Sequence, residues 1–313
     1  MQLIKYFLVV FAASGLITWG ISKLANKGLQ KSQVDFYGKM NAASDSAKET
    51  NLLIVGSSRV LVNVDTRIMD SFTRLHSYNY GLNAVTIKTC FNMLQYALTY
   101  QKKAKVVLMN IDYTMFDLLK DPYTDAYYYP FESNMPDFFM SNPQSKKRIH
   151  RMKLFDIALY DDYVKYASID GWIRPGRTIP GFFNGYYPHQ NLLDFTEPSS
   201  KMLKKDSASF TENGFDILND IVHLTKVKNV KLIFVIAPYF KKYFPGNYCT
   251  NYYTVLKRVK GIAEQNNIPF LDYTSLSIAD DRTCFYNFSH LNIKGAEIYS
   301  KILAKEIRQY LPQ

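Results

Sequence analysis

Apolar residues come along this chain in short dense runs, and the stretches between them repeat with helical spacing. Asn51-Leu-Leu-Ile-Val55 is brief, β-rich and apolar throughout, as suits a strand covered on both faces, and Gly56 permits a sharp exit from it. The same reading predicts a short strand around Ser77–Tyr80 and strands over Lys105–Asn110, Val230–Ala237 and Pro269–Asp272. Apolar positions recurring every three to four residues predict helices over Val85–Gln101, Glu212–Thr225, Tyr252–Asn266 and Lys294–Tyr310. This alternation is the βα rhythm of a doubly wound parallel sheet. Between Tyr113 and Ser209 it stops, and Tyr, Phe, Pro and Asn crowd the chain around one basic helical piece near Gln144–Ala167. An insertion at about 113–209, emerging at the carboxyl edge of the sheet, accounts for the break. No internal repeat is visible, and no second independent domain is marked.

The amino-terminal pattern is of another kind. Leu3–Ile21 is almost unbroken in its apolarity, and Lys5 near its edge can snorkel, so the run is about long enough to cross a bilayer. Ala12-Ala13-Ser14 supplies the small residues of a signal-peptide cleavage site, but the apolar run continues past them to Ile21, which favours an uncleaved anchor. The expected layout is a transmembrane anchor over 1–24, a polar stalk over 25–50, and the main domain over 51–313. Lys23, Lys27 and Lys31 outnumber Lys5 across the apolar run, which by the positive-inside rule argues weakly against export of the body.

Composition narrows the partners. A formal charge of +11 is partly concentrated before Asp35, the first acid, and neither a zinc-finger spacing nor an arginine-rich run accompanies it. Nucleic acid is therefore not expected as a partner. The three cysteines show no metal-ligand spacing. Cys90 sits in a helical pattern as a small hydrophobe, while Cys249 and Cys284 flank the last strand and are candidates to pair in an oxidising compartment. No metal or cofactor is expected.

Candidate chemistry lies at two loops. In Leu52-Leu-Ile-Val-Gly-Ser-Ser-Arg59, two hydroxyls and a guanidinium follow a buried strand, at the sheet edge where open α/β folds place their ligands. One plain explanation is that a serine caps the next helix. The other is that Ser58 is a nucleophile. Near the carboxyl terminus, His290 precedes a helix that opens with Asn292 and Gly295, which puts it on a loop at the same edge. By contrast, His223 falls in an amphipathic helix and reads as structural, and His76 and His150 read as surface residues.

The strand followed by Gly-Ser-Ser, the Gly in Tyr78-Asn-Tyr-Gly-Leu-Asn83 and the terminal Ser289-His-Leu-Asn-x-x-Gly-Ala together resemble the SGNH, or GDSL-type, hydrolase superfamily. They are most similar to its membrane-anchored branch, which includes the DltD-like proteins and surface-polysaccharide acyltransferases. The resemblance spans about residues 50–310 and implies a flavodoxin-like three-layer α/β fold. It implies Ser58 as nucleophile, His290 as general base, and backbone N–H groups near Ser58 and Gly81 as oxyanion donors. The family's oxyanion Asn falls in Met109-Asn-Ile-Asp-Tyr113, with the register open between Asn110 and Asp112. An ionised carboxylate cannot donate to an oxyanion. The family's orienting Asp falls on Asn287, which can fix the imidazole but offers it no full negative charge. Asp280 or Asp281 could replace it only if the loop folds back.

The resemblance implies a serine esterase or acyltransferase acting on acyl groups of a cell-envelope carbohydrate. Its body would be periplasmic or extracellular and held on the cytoplasmic (inner) membrane by one span, with an envelope carbohydrate or an acyl-donor protein as partner. The opposing expectation is a catalytically weak or inactive protein that keeps the fold to bind polysaccharide or scaffold an envelope complex. A third is an anion-binding domain with phosphate at Gly56–Arg59.

Overall fold

The structure, a computed structural model, describes residues 2–45, 47–116, 121–134, 153–177, 182–190 and 212–311. The chain forms two units, one of residues 1–43 with 123–178 and the other of residues 44–122 with 179–313.

The larger unit is built on five strands, β1 (Leu52–Val55), β2 (Ser77–Asn79), β3 (Val106–Asn110), β4 (Lys231–Ile236) and β5 (Phe270–Asp272). All pairings are parallel and the order is β2-β1-β3-β4-β5, the flavodoxin-like order. A parallel sheet needs helices on both faces, so its strands carry apolar residues at successive positions rather than alternate ones. Leu52, Ile54, Val106, Leu108, Ile233 and Val235 pack into one core with Tyr299, Leu303 and Ile307 of the last long helix, Ile293–Ile307. The intervening residues Leu53, Val107, Met109 and Phe234 point the other way. Helices Ile87–Tyr100 and Glu212–Val227 lie against each other and against β1 and β4 there.

Strand and helix positions agree with the hydrophobic pattern to within a few residues, except after β1. There the run Arg59-Val-Leu-Val-Asn63, apolar at three successive positions and without helical period, forms a short helix, Ser58–Asn63, followed by a second, Thr66–Thr73. Cap chemistry decides this. Ser57 and Asp65 each accept a hydrogen bond from the backbone two residues on, Arg59 N–H and Arg67 N–H respectively, and so start the two helices.

The smaller unit contains the amino-terminal helix, which runs over Gln2–Leu29 and so continues well beyond the expected anchor boundary. The segment expected as a polar stalk carries a helix of its own. Helix Asp35–Ser44 buries Phe36, Tyr37 and Met40 among Tyr123, Tyr127, Tyr128 and Phe131, because a stretch polar in composition still carries an aromatic stripe. The expected helical piece near Gln144–Ala167 is only partly within the described residues. Lys153–Leu159 is 3₁₀ and Asp162–Ile173 is α-helical. The three cysteines are buried free thiols, and Cys284 Sγ lies 3.4 Å from Asp281 Oδ2.

Candidate active site

Gly56, at φ +152°, turns the chain out of β1, and Ser57 and Ser58 follow at its carboxyl end. The two serines divide the alternative readings between them. Ser57 is the helix cap, its Oγ accepting from Arg59 N–H at 3.2 Å and donating to Asp112 Oδ2. Ser58 stands at the first helical position, and its Oγ lies 2.8 Å from His290 Nε2 across 232 positions of sequence.

His290 is presented by a closed turn. Tyr286 N–H donates to His290 O at 2.8 Å, and Phe285 and Leu291 form an antiparallel bridge across its base. The oxygen of Asn287 is the hub of that turn, accepting from the backbone N–H of Ser289 and of His290, both at 2.9 Å. It also lies 2.9 Å from His290 Nδ1. An amide oxygen can only accept, so Nδ1 carries the proton in this contact and Nε2 is left with its lone pair toward Ser58. Ser289 Oγ makes a second contact with Nδ1 at 3.0 Å. Burial, reinforced by the positive charge of Arg59, holds the His290 imidazole down at about 4. It is therefore neutral, and able to accept a proton, from mildly acidic pH upward.

Two cross-links hold the serine helix to the histidine turn, one on each side of His290. Arg59 Nε donates to Ser289 O at 3.1 Å, and Leu291 N–H donates to Asn63 Oδ1 at 2.8 Å. Arg59 is buried, and its guanidinium has no group to spare. It pairs with Asp112, donates to Ala237 O and Pro238 O, and lies 3.4 Å above the Tyr239 ring. The Gly-Ser-Ser-Arg run thus has a physical division of labour: Ser57 caps, Ser58 faces the base, and Arg59 ties three loops together.

The expected oxyanion residues are placed differently. Gly81 N–H donates to Asn79 Oδ1 at 2.9 Å, so it is committed to its own turn instead of standing open to a ligand. An added Cβ at Gly81 would come within 2.5 Å of Leu61 N, so this glycine serves a close passage of two backbones. Asn110 accepts from Ala237 N–H and donates to Asp112 Oδ2, each at 2.9 Å. Asp112 itself takes Ser57, Arg59 and Asn110, and is buried beneath the site. Both residues brace the loop, Asn110 with its oxygen and one of its two amide N–H groups. The N–H of Ser58 has no intrahelical acceptor at the first helical position, which leaves it as the donor nearest the nucleophile. Asp280 and Asp281 pair with Lys241 and Lys294 and take no part in orienting the imidazole.

Sequence reasoning passed over Asn63 and His189, and it read Arg59 as part of an anion-binding alternative where the structure makes it a brace. His189 stacks on Tyr286 at 4.1 Å and packs edge-on against Tyr187, and its carbonyl accepts from Ile293 N–H at the start of the last helix. His76 and His223 are exposed, and His150 lies outside the described residues. The exposure of His223 departs from the structural role expected of it.

No family model matches the chain, and neither does any curated protein. Similar solved structures include a proposed acylhydrolase from Bacteroides fragilis, at 12% identity and TM-score 0.45, with 86% of this chain and 95% of that one covered. A lipase/acylhydrolase from Enterococcus faecalis is 11% identical with TM-score 0.42, covering 84% of this chain and 97% of that one. A GDSL-like lipase from Bacteroides thetaiotaomicron is 10% identical with TM-score 0.43, covering 87% and 100%.

Proposed function

We propose that the protein is a serine esterase or acyltransferase of the SGNH type, anchored in the cytoplasmic membrane and acting on acyl groups of a cell-envelope carbohydrate. The observation that carries this reading is the chain of contacts Ser58 Oγ–His290 Nε2 and His290 Nδ1–Asn287 Oδ1. Ser58 Oγ would attack the acyl carbonyl while His290 takes its proton, and the imidazolium would then return that proton to the departing alcohol. The acyl-serine so formed passes to water or to an acceptor hydroxyl, with His290 again serving as base. Asn287 supports the step through its oxygen, but lends the imidazolium no full charge. The envelope setting and the DltD-like branch are supported by the amino-terminal helix, which is long and apolar enough to span a membrane, and by the motif resemblance.

A second reading, a non-catalytic carbohydrate-binding or scaffold protein, is favoured by Asn287 and by the commitment of the Gly81 N–H to an internal hydrogen bond. Labelling by a fluorophosphonate probe separates the two. The enzyme reading expects labelling and turnover of a small acyl ester, both abolished by Ser58→Ala. Absence of both in the wild-type chain would favour the scaffold.

A further inference from the structure

The helix Asp162–Ile173 is built the wrong way round for a helix in water. Its inner face is made of small or short side chains, Val164, Ala167, Ser168 and Gly171, all buried. Its outer face carries Tyr166, Ile169, Trp172 and Ile173, with Ile169 57% and Ile173 71% exposed. Asp162 and Lys165 at the start of the helix are exposed too and pair with each other, but from Tyr166 onward the exposed stripe is apolar where a solvent-facing one should be polar, and it calls for a covering partner.

Its neighbour in the same unit indicates what that partner is. The small residues of the inner face let the helix lie directly on the end of the amino-terminal helix. A Cβ at Gly171 would meet Gly28 O at 1.9 Å, Ser168 Oγ donates to Ala25 O at 3.1 Å, and Trp172 Nε1 donates to Leu24 O at 2.9 Å. Ser22 is the first buried residue of that long helix, where its Oγ accepts from Ile157 N–H at 3.2 Å. Everything before it, Gln2 to Ile21, is bare, which at 1.5 Å per residue is about 30 Å, the thickness of a bilayer's hydrocarbon core. The level of Ser22 to Leu24 is thus where a membrane-spanning helix would leave the lipid, and Trp172 of the outer face reaches Leu24 O at that level. Trp and Tyr beside exposed Lys23 and Lys27, with Lys31 3.8 Å over the Trp172 ring, is the residue chemistry of a lipid headgroup region.

We infer that the helix Asp162–Ile173 lies on the bilayer surface, with Tyr166, Ile169, Trp172 and Ile173 in the headgroup layer beside the exit of the amino-terminal helix. The inference rests on that helix spanning the membrane, and its test separates the two. Trp19 and Trp172 are the only tryptophans, so Trp19→Phe leaves a reporter on the surface helix and Trp172→Phe leaves one in the span. The full chain is reconstituted in vesicles of phosphatidylcholine and phosphatidylglycerol whose acyl chains carry bromine either near the headgroup or deep in the chain. Trp172 should be quenched at least twofold by the shallow bromines and less by the deep ones, with little quenching by aqueous acrylamide. The double variant Ile169→Gln/Ile173→Gln, made on the Trp19→Phe chain, should lose the bromine quenching of Trp172 and gain quenching by aqueous acrylamide. Trp172 untouched by bromine while Trp19 is quenched would overturn the surface helix and leave the span standing, the result expected if water or another protein covers this face. Neither tryptophan quenched would remove the span and the inference with it.

Discussion

At the residue scale the decisive choice is Asn287. Its oxygen already holds the turn and His290 Nδ1, so Asn287→Asp preserves every acceptor contact and adds the charge that an imidazolium needs. Ester turnover should rise by tenfold or more, within the roughly 10⁴-fold span associated with this exchange in Ser-His-Asp enzymes. The pH profile gives an independent reading. Because the imidazole is held at about 4, the acid limb of kcat/KM should lie near pH 4 in the wild type, well below the ordinary histidine range. Asn287→Asp should move that limb upward, since a carboxylate favours the protonated ring. A limb that stays in place, or a variant no faster than wild type, would show that Asn287 does not govern the base. Arg59 poses a different question, because it is buried with Asp112. Arg59→Met alone should cost about 3–5 kcal/mol by stranding the carboxylate, whereas Arg59→Met/Asp112→Leu should recover part of the loss, as read from urea midpoints.

At the element scale, the strands were legible because a buried parallel strand leaves little choice of residue, and the loop character of His290 followed from the helix signal behind it. The short helix Ser58–Asn63 was legible only through its serine cap, because its centre is three successive apolar residues that carry no helical period. That single ambiguity hid the placement of Asn63, and with it the bond to Leu291 that fixes the base. The oxyanion assignments misled for a related reason: a motif names residue types at a loop, but whether an N–H or an amide is already engaged depends on neighbours distant in sequence. Gly295 shows how tightly these elements seat. A Cβ there would meet Cys284 O at 2.0 Å, forcing the last helix away from the turn that carries His290. Gly295→Ala should therefore cost about 1–3 kcal/mol, a typical overpacking penalty, and lower kcat by more than it raises KM. An alanine variant with wild-type melting temperature and kinetics would show that this packing does not position the base.

At the scale of the whole molecule, the amino-terminal helix serves two environments along one continuous element. Gln2–Ile21 is bare and apolar, while Ser22, Ala25, Gly28 and Leu29 are built into the smaller unit. The expected boundary at residue 24 therefore falls inside a folded region, because composition changes gradually there while burial begins at Ser22. Deletions on either side of Ser22 should behave differently. Removing residues 2–20 takes away only the exposed length, and should yield a soluble protein that keeps the melting temperature of the parent and its kcat/KM on a small ester. Removing residues 2–30 strips the surface that covers Ala167, Ser168 and Gly171, and should leave a chain that aggregates or melts at least several degrees lower. The full chain, if anchored and uncleaved, should sediment with membranes and retain its first residues by mass spectrometry of the intact protein. Cleavage after Ala13 or Ser14 would be visible as a lost segment, yet would still leave Ser22–Leu29 in place. Membrane release without destabilisation is thus the outcome expected of a signal peptide, and retention with an intact terminus is the outcome expected of an anchor.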